Sequence, residues 1–231
     1  MGSPVLVDTT RKHDTGGNTS SHTVDTPTHS EGDELYFAMA MGGNQTITLT
    51  GWTALYSNID IRTGDIRATF ALFHKTAGAS EPTTITATSG SSERSAIVAW
   101  SLSGDNGIDG SSTVNDGEST TATCPTLTPT ETHTKALLIV ATDADTLTHS
   151  TPTGWAELNS AHRASGGTVS IKHKDLSTLD ATGAQNITIA SSNEWIGATV
   201  IVKGTPVTST GIKLIGNHSP IKSLVNGGLV T

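Results

Sequence analysis

The segment VSIKHKD (169–175) puts Val169, Ile171 and His173 on one face and Ser170, Lys172 and Lys174 on the other. That period of two is the mark of a half-buried β-strand. TFALFHK (69–75) repeats the pattern with Phe70, Leu72 and His74. ELYFAMAM (34–41) and KALLIVA (135–141) are instead continuous apolar runs, which predict strands buried on both faces. Clusters of Asn, Gly, Ser and Asp separate these segments (MGGNQ, RTGD, SGSSE, ASGG, DATGAQ), and such clusters supply turns. No stretch keeps a helical period beyond about two turns. The pattern predicts an all-β chain.

The pattern is also written twice. TGWTALYS (50–57) returns as TGWAELNS (153–160). Before each Trp come an apolar strand, a polar turn and a Thr-rich short strand. After each, IRATFALFHKTAG (66–78) matches GTVSIKHKDLS (167–177), with His74 and His173 in the same place. TTITATSGSSERSAIVAWSLSG (83–104) matches NITIASSNEWIGATVIVKG (186–204), and both close on Gly. The offset drifts from 103 at Trp to 99 at His, as loop-length changes between related copies produce. The expected organisation is an N-terminal arm (1–18), a first β half (19–104), a linker (105–118), a second β half (119–204) and a C-terminal arm (205–231).

The expected fold is a jelly-roll-like antiparallel β-sandwich built from two similar halves, with extended arms. Each half, taken alone, also has the size of an immunoglobulin-like domain. Trp52 and Trp155, with Leu55 and Leu158, are expected to open matching strands and anchor matching ends of the core. The Gly before each Trp suits a turn that a side chain would resist. His74 and His173 lie in phase with apolar residues and read as core histidines. The C-terminal arm carries Ile212, Leu214, Ile215, Ile221, Leu224, Val225, Leu229 and Val230. These are too apolar for a solvated tail and are expected to contact a neighbouring subunit.

Composition narrows the function. Thr and Ser make up roughly 30% of the 231 residues, as suits strands and turns. The formal net charge is −8, and the 13 Lys and Arg are scattered, so nucleic acid and anionic membrane are not expected partners. A single cysteine, Cys124, cannot form an intrachain disulfide, in keeping with synthesis in a reducing cytoplasm. The N-terminus lacks the basic-then-apolar pattern of a secretory signal, and no apolar run has the length of a membrane span.

Catalytic and metal signatures are scarce. G-x-S-x-G, P-loop and Rossmann glycine motifs do not occur, nor do H-x-H and H-E-x-x-H metal spacings. Glu93 and Glu194 occupy matching positions but read as charged residues at the turn before each last strand. DNGIDG (105–110) spaces Asp105, Asp109 and Gly110 like the front of a calcium loop. Gly107 at its third position and Asp116 at its twelfth depart from that pattern. The N-x-S/T triplets at Asn18, Asn44, Asn186 and Asn217 are expected by chance in so Thr-rich a chain. No cofactor, metal or enzymatic activity is expected.

The GWxxL beat, the strand with a central His, and the S-x-E turn before a Gly-terminated strand resemble β-sandwich proteins encoded among the structural genes of tailed bacteriophages. The resemblance spans about residues 19–204. It implies a virion component, most of all a capsid decoration (cement) protein, made in the host cytoplasm and present in many copies or as a homo-oligomer. Its implied partners are the major capsid protein or other virion subunits. The alternatives are a phage tail or fibre surface protein, and a carbohydrate-binding or adhesin module.

Overall fold

The computed structural model describes residues 2–13, 18–61, 68–143, 148–163 and 167–205. Among them there are strands and turns and no helix. The strands are β1 (Val5–His13), β2 (Thr19–Asp25), β3 (Glu34–Gly42), β4 (Thr53–Asp60), β5 (Ala68–Thr76), β6 (Thr84–Glu93) and β7 (Ser95–Ser103). They continue with β8 (Asp105–Ser111), β9 (Asn115–Cys124), β10 (Thr134–Thr142), β11 (Ala156–Arg163), β12 (Gly167–Leu176) and β13 (Gln185–Gly204).

One sheet has the order β1-β7-β3-β5-β4. A second has the order β11-β12-β10-β13-β8, with β9 pairing along β13. A ribbon of β2 and β6 stands apart. Every named strand pairing is antiparallel.

The two sheets face each other across one core. Tyr36, Ala38, Ala40, Phe70, Leu72, Val98 and Trp100 of the first meet Leu137, Ile139, Ala141, Val169, Ile171, Ala198 and Val200 of the second. The outer face of the first sheet is covered in turn. Phe37, Met39 and Met41 pack with Val24 and Ile85 of the ribbon and with Ile47 and Leu49. On the other side Leu138 and Val140 pack with Ala122, Ile187 and Trp195. This layering explains the continuous apolar runs. All nine residues of β3 and all nine of β10 are buried, because each is a central strand covered on both faces although its neighbours are antiparallel.

Three expectations are corrected. The strands do not alternate between the two large sheets as in a jelly roll: β1, β3, β4, β5 and β7 build one sheet, with β2 and β6 in the ribbon, and β8 to β13 build the other. Strand neighbours in each half stay together, and among the described residues the chain passes from one sheet to the other at Gly104. The N-terminal segment is not an arm, because Val5–His13 forms the edge strand β1 along β7, with a bulge between Leu6 and Asp8. Nor is 105–118 a linker, because β8 and the start of β9 pair with β13. The C-terminal side chains Ile212 to Val230 lie outside the described residues.

The described chain comes back on itself. Thr205 N–H donates to the Gly104 carbonyl at 2.8 Å. A Cβ placed on Gly204 would lie 2.1 Å from the Gly2 carbonyl oxygen and 2.4 Å from that of His133, so only glycine fits that crossing point.

Candidate functional site

The doubled TGW sequence builds the same turn twice. Trp52 N–H donates to the Leu49 carbonyl at 3.3 Å, and Trp155 N–H to that of Pro152 at 3.1 Å. Gly51 and Gly154 occupy the third position of these turns with φ of 81° and 79°, a conformation that a type II turn reserves for glycine. Each Trp therefore comes just before an edge strand, β4 or β11, with its indole turned to the outer side of its sheet. Trp52 packs on the Phe37 cluster and Trp155 on the Leu138 and Leu176 clusters. Both are half-buried and outside the central core, where Leu158 is buried and Leu55 packs at the margin. The large central aromatic is Trp100, fully buried and stacked on Tyr36 at 5.0 Å.

His74 lies opposite Tyr36 and Thr53 in the strand register, and His173 lies opposite Leu137 and Ala156. His74 Nδ1 meets the Glu34 carboxylate at 2.5 Å. His173 has no such partner on its buried Nδ1, and burial, with Lys135 beside it, lowers its pKa. Both rings are half-buried rather than fully in the core.

The residue after each His stands beside the Trp of its half. Lys75 Nζ stands 6.0 Å from the Trp52 ring centroid and Lys174 Nζ 5.9 Å from that of Trp155, within cation–π range. The shared His-Lys dipeptide was the available sequence signal for this pairing. Each Trp–Lys pair borders a cleft. The first, of about 380 Å³, lies between the Leu49–Trp52 turn, the β2–β6 ribbon and the outer face of β3 and β5. Leu35, Leu49 and Ile85 give it apolar walls, and Thr50, Thr84 and Thr86 give it hydroxyls. Lys75 pairs with Glu81 at 2.9 Å. The Gly78 N–H, donating to Glu81 at 2.7 Å, holds that carboxyl below the usual range against its partial burial, with help from Lys75. The second cleft, of about 190 Å³, is lined by Trp155, Lys174, Asp175, Asp180 and neighbouring hydroxyls.

A third hollow of about 180 Å³ is lined by His149, Glu157, Ser160, His162 and Ser170 among others. His149 Nδ1 lies 2.7 Å from Ser170 Oγ. Burial, reinforced by Lys172, pushes the His149 pKa down to about 3, so the ring is neutral at physiological pH. Ser170 is itself buried, and Lys172 is held by Glu157 at 3.2 Å. No sequence spacing announced this group, because its members meet only through strand register.

The calcium-like stretch is strand β8, and its carboxylates are engaged within the protein. Asp105 accepts from the Tyr36 hydroxyl at 2.8 Å and from the Gly107 N–H. Asp109 accepts from the Thr130 N–H at 2.6 Å. Glu93 ends β6, whereas Glu194 is buried within the unbroken strand β13. Among the described residues no group of three or more His, Cys, Asp or Glu is placed to hold a metal ion. Cys124 is buried and its thiol pushed up to about 12 by burial. Comparison with family models, with curated proteins and with solved structures gives no match to this chain.

Proposed function

We propose that this chain is a structural virion protein of a tailed bacteriophage, of the capsid-decoration kind, and that its two halves are related copies. The copies are supported by strand order: β1-β7-β3-β5-β4 and β8-β13-β10-β12-β11 correspond position by position if β13 takes the place of β6 and β7 together. The TGW turns and the Trp–Lys pairs fall at corresponding places in that order. The observation that carries the functional reading is the contrast between body and tail. The described residues already close a two-sheet core with covered outer faces, while the sequence from Ile212 to Val230 adds eight more aliphatic side chains. Burial of that segment on the major capsid protein or a neighbouring copy removes its apolar surface from water, at about 25 cal/mol per Å². Repetition over many copies makes a modest contact effective. The net charge of −8 then keeps decorated particles apart.

The test is deletion of residues 206–231, followed by mixing with particles that lack the protein. The expected outcome is a folded sandwich that no longer decorates. Full occupancy by the truncated protein would overturn the reading of the tail as anchor.

A further inference from the structure

We propose that the Trp52 cleft is a binding site for a neutral saccharide. The inference stands on the cleft alone and does not depend on the virion role. At about 380 Å³ the cleft falls in the size range of small-ligand sites, which begins near 300 Å³. The hollows beside Trp155 and His149 fall below it.

The chemistry of the walls selects the ligand. One wall is an indole, held by the Gly51 turn and by the edge of Phe37 at 6.5 Å, so the aromatic surface is fixed in advance. Around it stand the Lys75–Glu81 pair and the Thr84 and Thr86 hydroxyls. A ligand suited to this set presents one apolar face to the indole and donors and acceptors around its rim. A pyranose ring does so: its C–H face stacks on an aromatic plane and its hydroxyls project sideways. Glu81 is positioned by the Gly78 N–H as well as by Lys75, which leaves a fixed acceptor for a sugar hydroxyl. Lys75 Nζ lies over the same ring, 6.0 Å from its centroid, so it offers its donors to a sugar that shares the indole surface with it. The Lys75 and Glu81 charges cancel, so the cleft offers no net charge to sulfated or sialylated sugars. Their mutual ion pair neutralises both charges, which disfavours a simple cation or anion, while each group keeps hydrogen-bonding capacity for a neutral ligand. The proposed event is binding, with no bond made or broken.

The experiment uses the full chain and a panel of neutral disaccharides: maltose, cellobiose, lactose, mannobiose and diacetylchitobiose. Binding is read by saturation-transfer NMR and by tryptophan fluorescence. At least one sugar is expected to bind saturably. Trp52→Ala should weaken it about tenfold or more, roughly 1.4 kcal/mol. Thr86 is exposed, so Thr86→Arg fills the cleft from a position that tolerates change and should abolish binding with the fold intact. Trp155→Ala should leave the affinity unchanged. Silence across the panel would overturn the proposal, as would binding that survives Thr86→Arg or depends on Trp155 instead.

Discussion

Asp105 opens β8 with its carboxylate against the Tyr36 hydroxyl and the Gly107 N–H. Burial raises its pKa from 3.8 to about 6 despite those two bonds, with the Glu34 carboxylate adding to the rise and His74 opposing it. The consequence for stability has a definite sign. Below about pH 4 both folded and unfolded chains hold the proton. Between about pH 4 and 6 the unfolded chain gives it up first and therefore binds fewer protons, so stability falls as pH rises. Above about pH 6 the loss is complete. Asp105→Asn removes the titration and keeps an acceptor for Tyr36. Denaturant unfolding at pH 4.5 and 7.5 should show the parent losing about 1–3 kcal/mol relative to the variant across that interval. Identical pH profiles would show that Asp105 keeps an ordinary pKa. The same scale separates the tryptophans. Trp100 is sealed in the core, whereas Trp52 and Trp155 keep part of each indole in solvent. Only the first merits the full large-aromatic cost of about 3–5 kcal/mol on truncation.

At the scale of the element, β1 decides whether the N-terminal segment is ornament or fabric. Its inward side chains cross to the other sheet. Arg11 Nη1 donates to the Ser160 carbonyl at 3.1 Å, Asn159 Nδ2 donates to Thr9 Oγ1 at 2.9 Å, and His13 stacks on His162 at 5.4 Å. Its outward side chains hold the ribbon side, with Thr28 N–H donating to Asp8 at 2.7 Å and Thr10 Oγ1 donating to the Asp25 carbonyl at 2.6 Å. Deleting residues 2–13 should uncover β7 and lower the melting temperature. A loss of about 3 kcal/mol corresponds to roughly 6–12 °C, and an unchanged melt by calorimetry would return β1 to the status of an arm. The sequence pattern hid this strand for physical reasons. The bulge at Val7 breaks the alternation, and Val5 and Val7 remain exposed, so no apolar face is legible. β8 was hidden by Gly107, whose φ of 90° reads locally as a turn. By contrast β3, β5, β10 and β12 were legible because burial on one or both faces fixes their period. The Trp52 cleft was half legible: the doubled TGW located the indole, but Glu81 and the ribbon threonines reach it only through tertiary pairing.

For the whole molecule, the meeting of Gly2, Gly104 and Gly204 means that the polypeptide is drawn as two closed circuits from a single point. Neither circuit needs the other to come first along the chain. A circular permutant is therefore geometrically permitted: it begins at Asp105, runs to Gly204, passes through a short glycine-serine bridge to Gly2 and ends at Gly104. Its new ends fall at the exposed crossing between β7 and β8, the kind of site where permutation is tolerated. It should fold to the same far-ultraviolet dichroism and melt within a few degrees of a parent lacking residues 206–231. A molten or aggregated permutant would mean that the first half must form before the second can dock. If it folds, order along the gene is free to vary while the two sheets stay face to face.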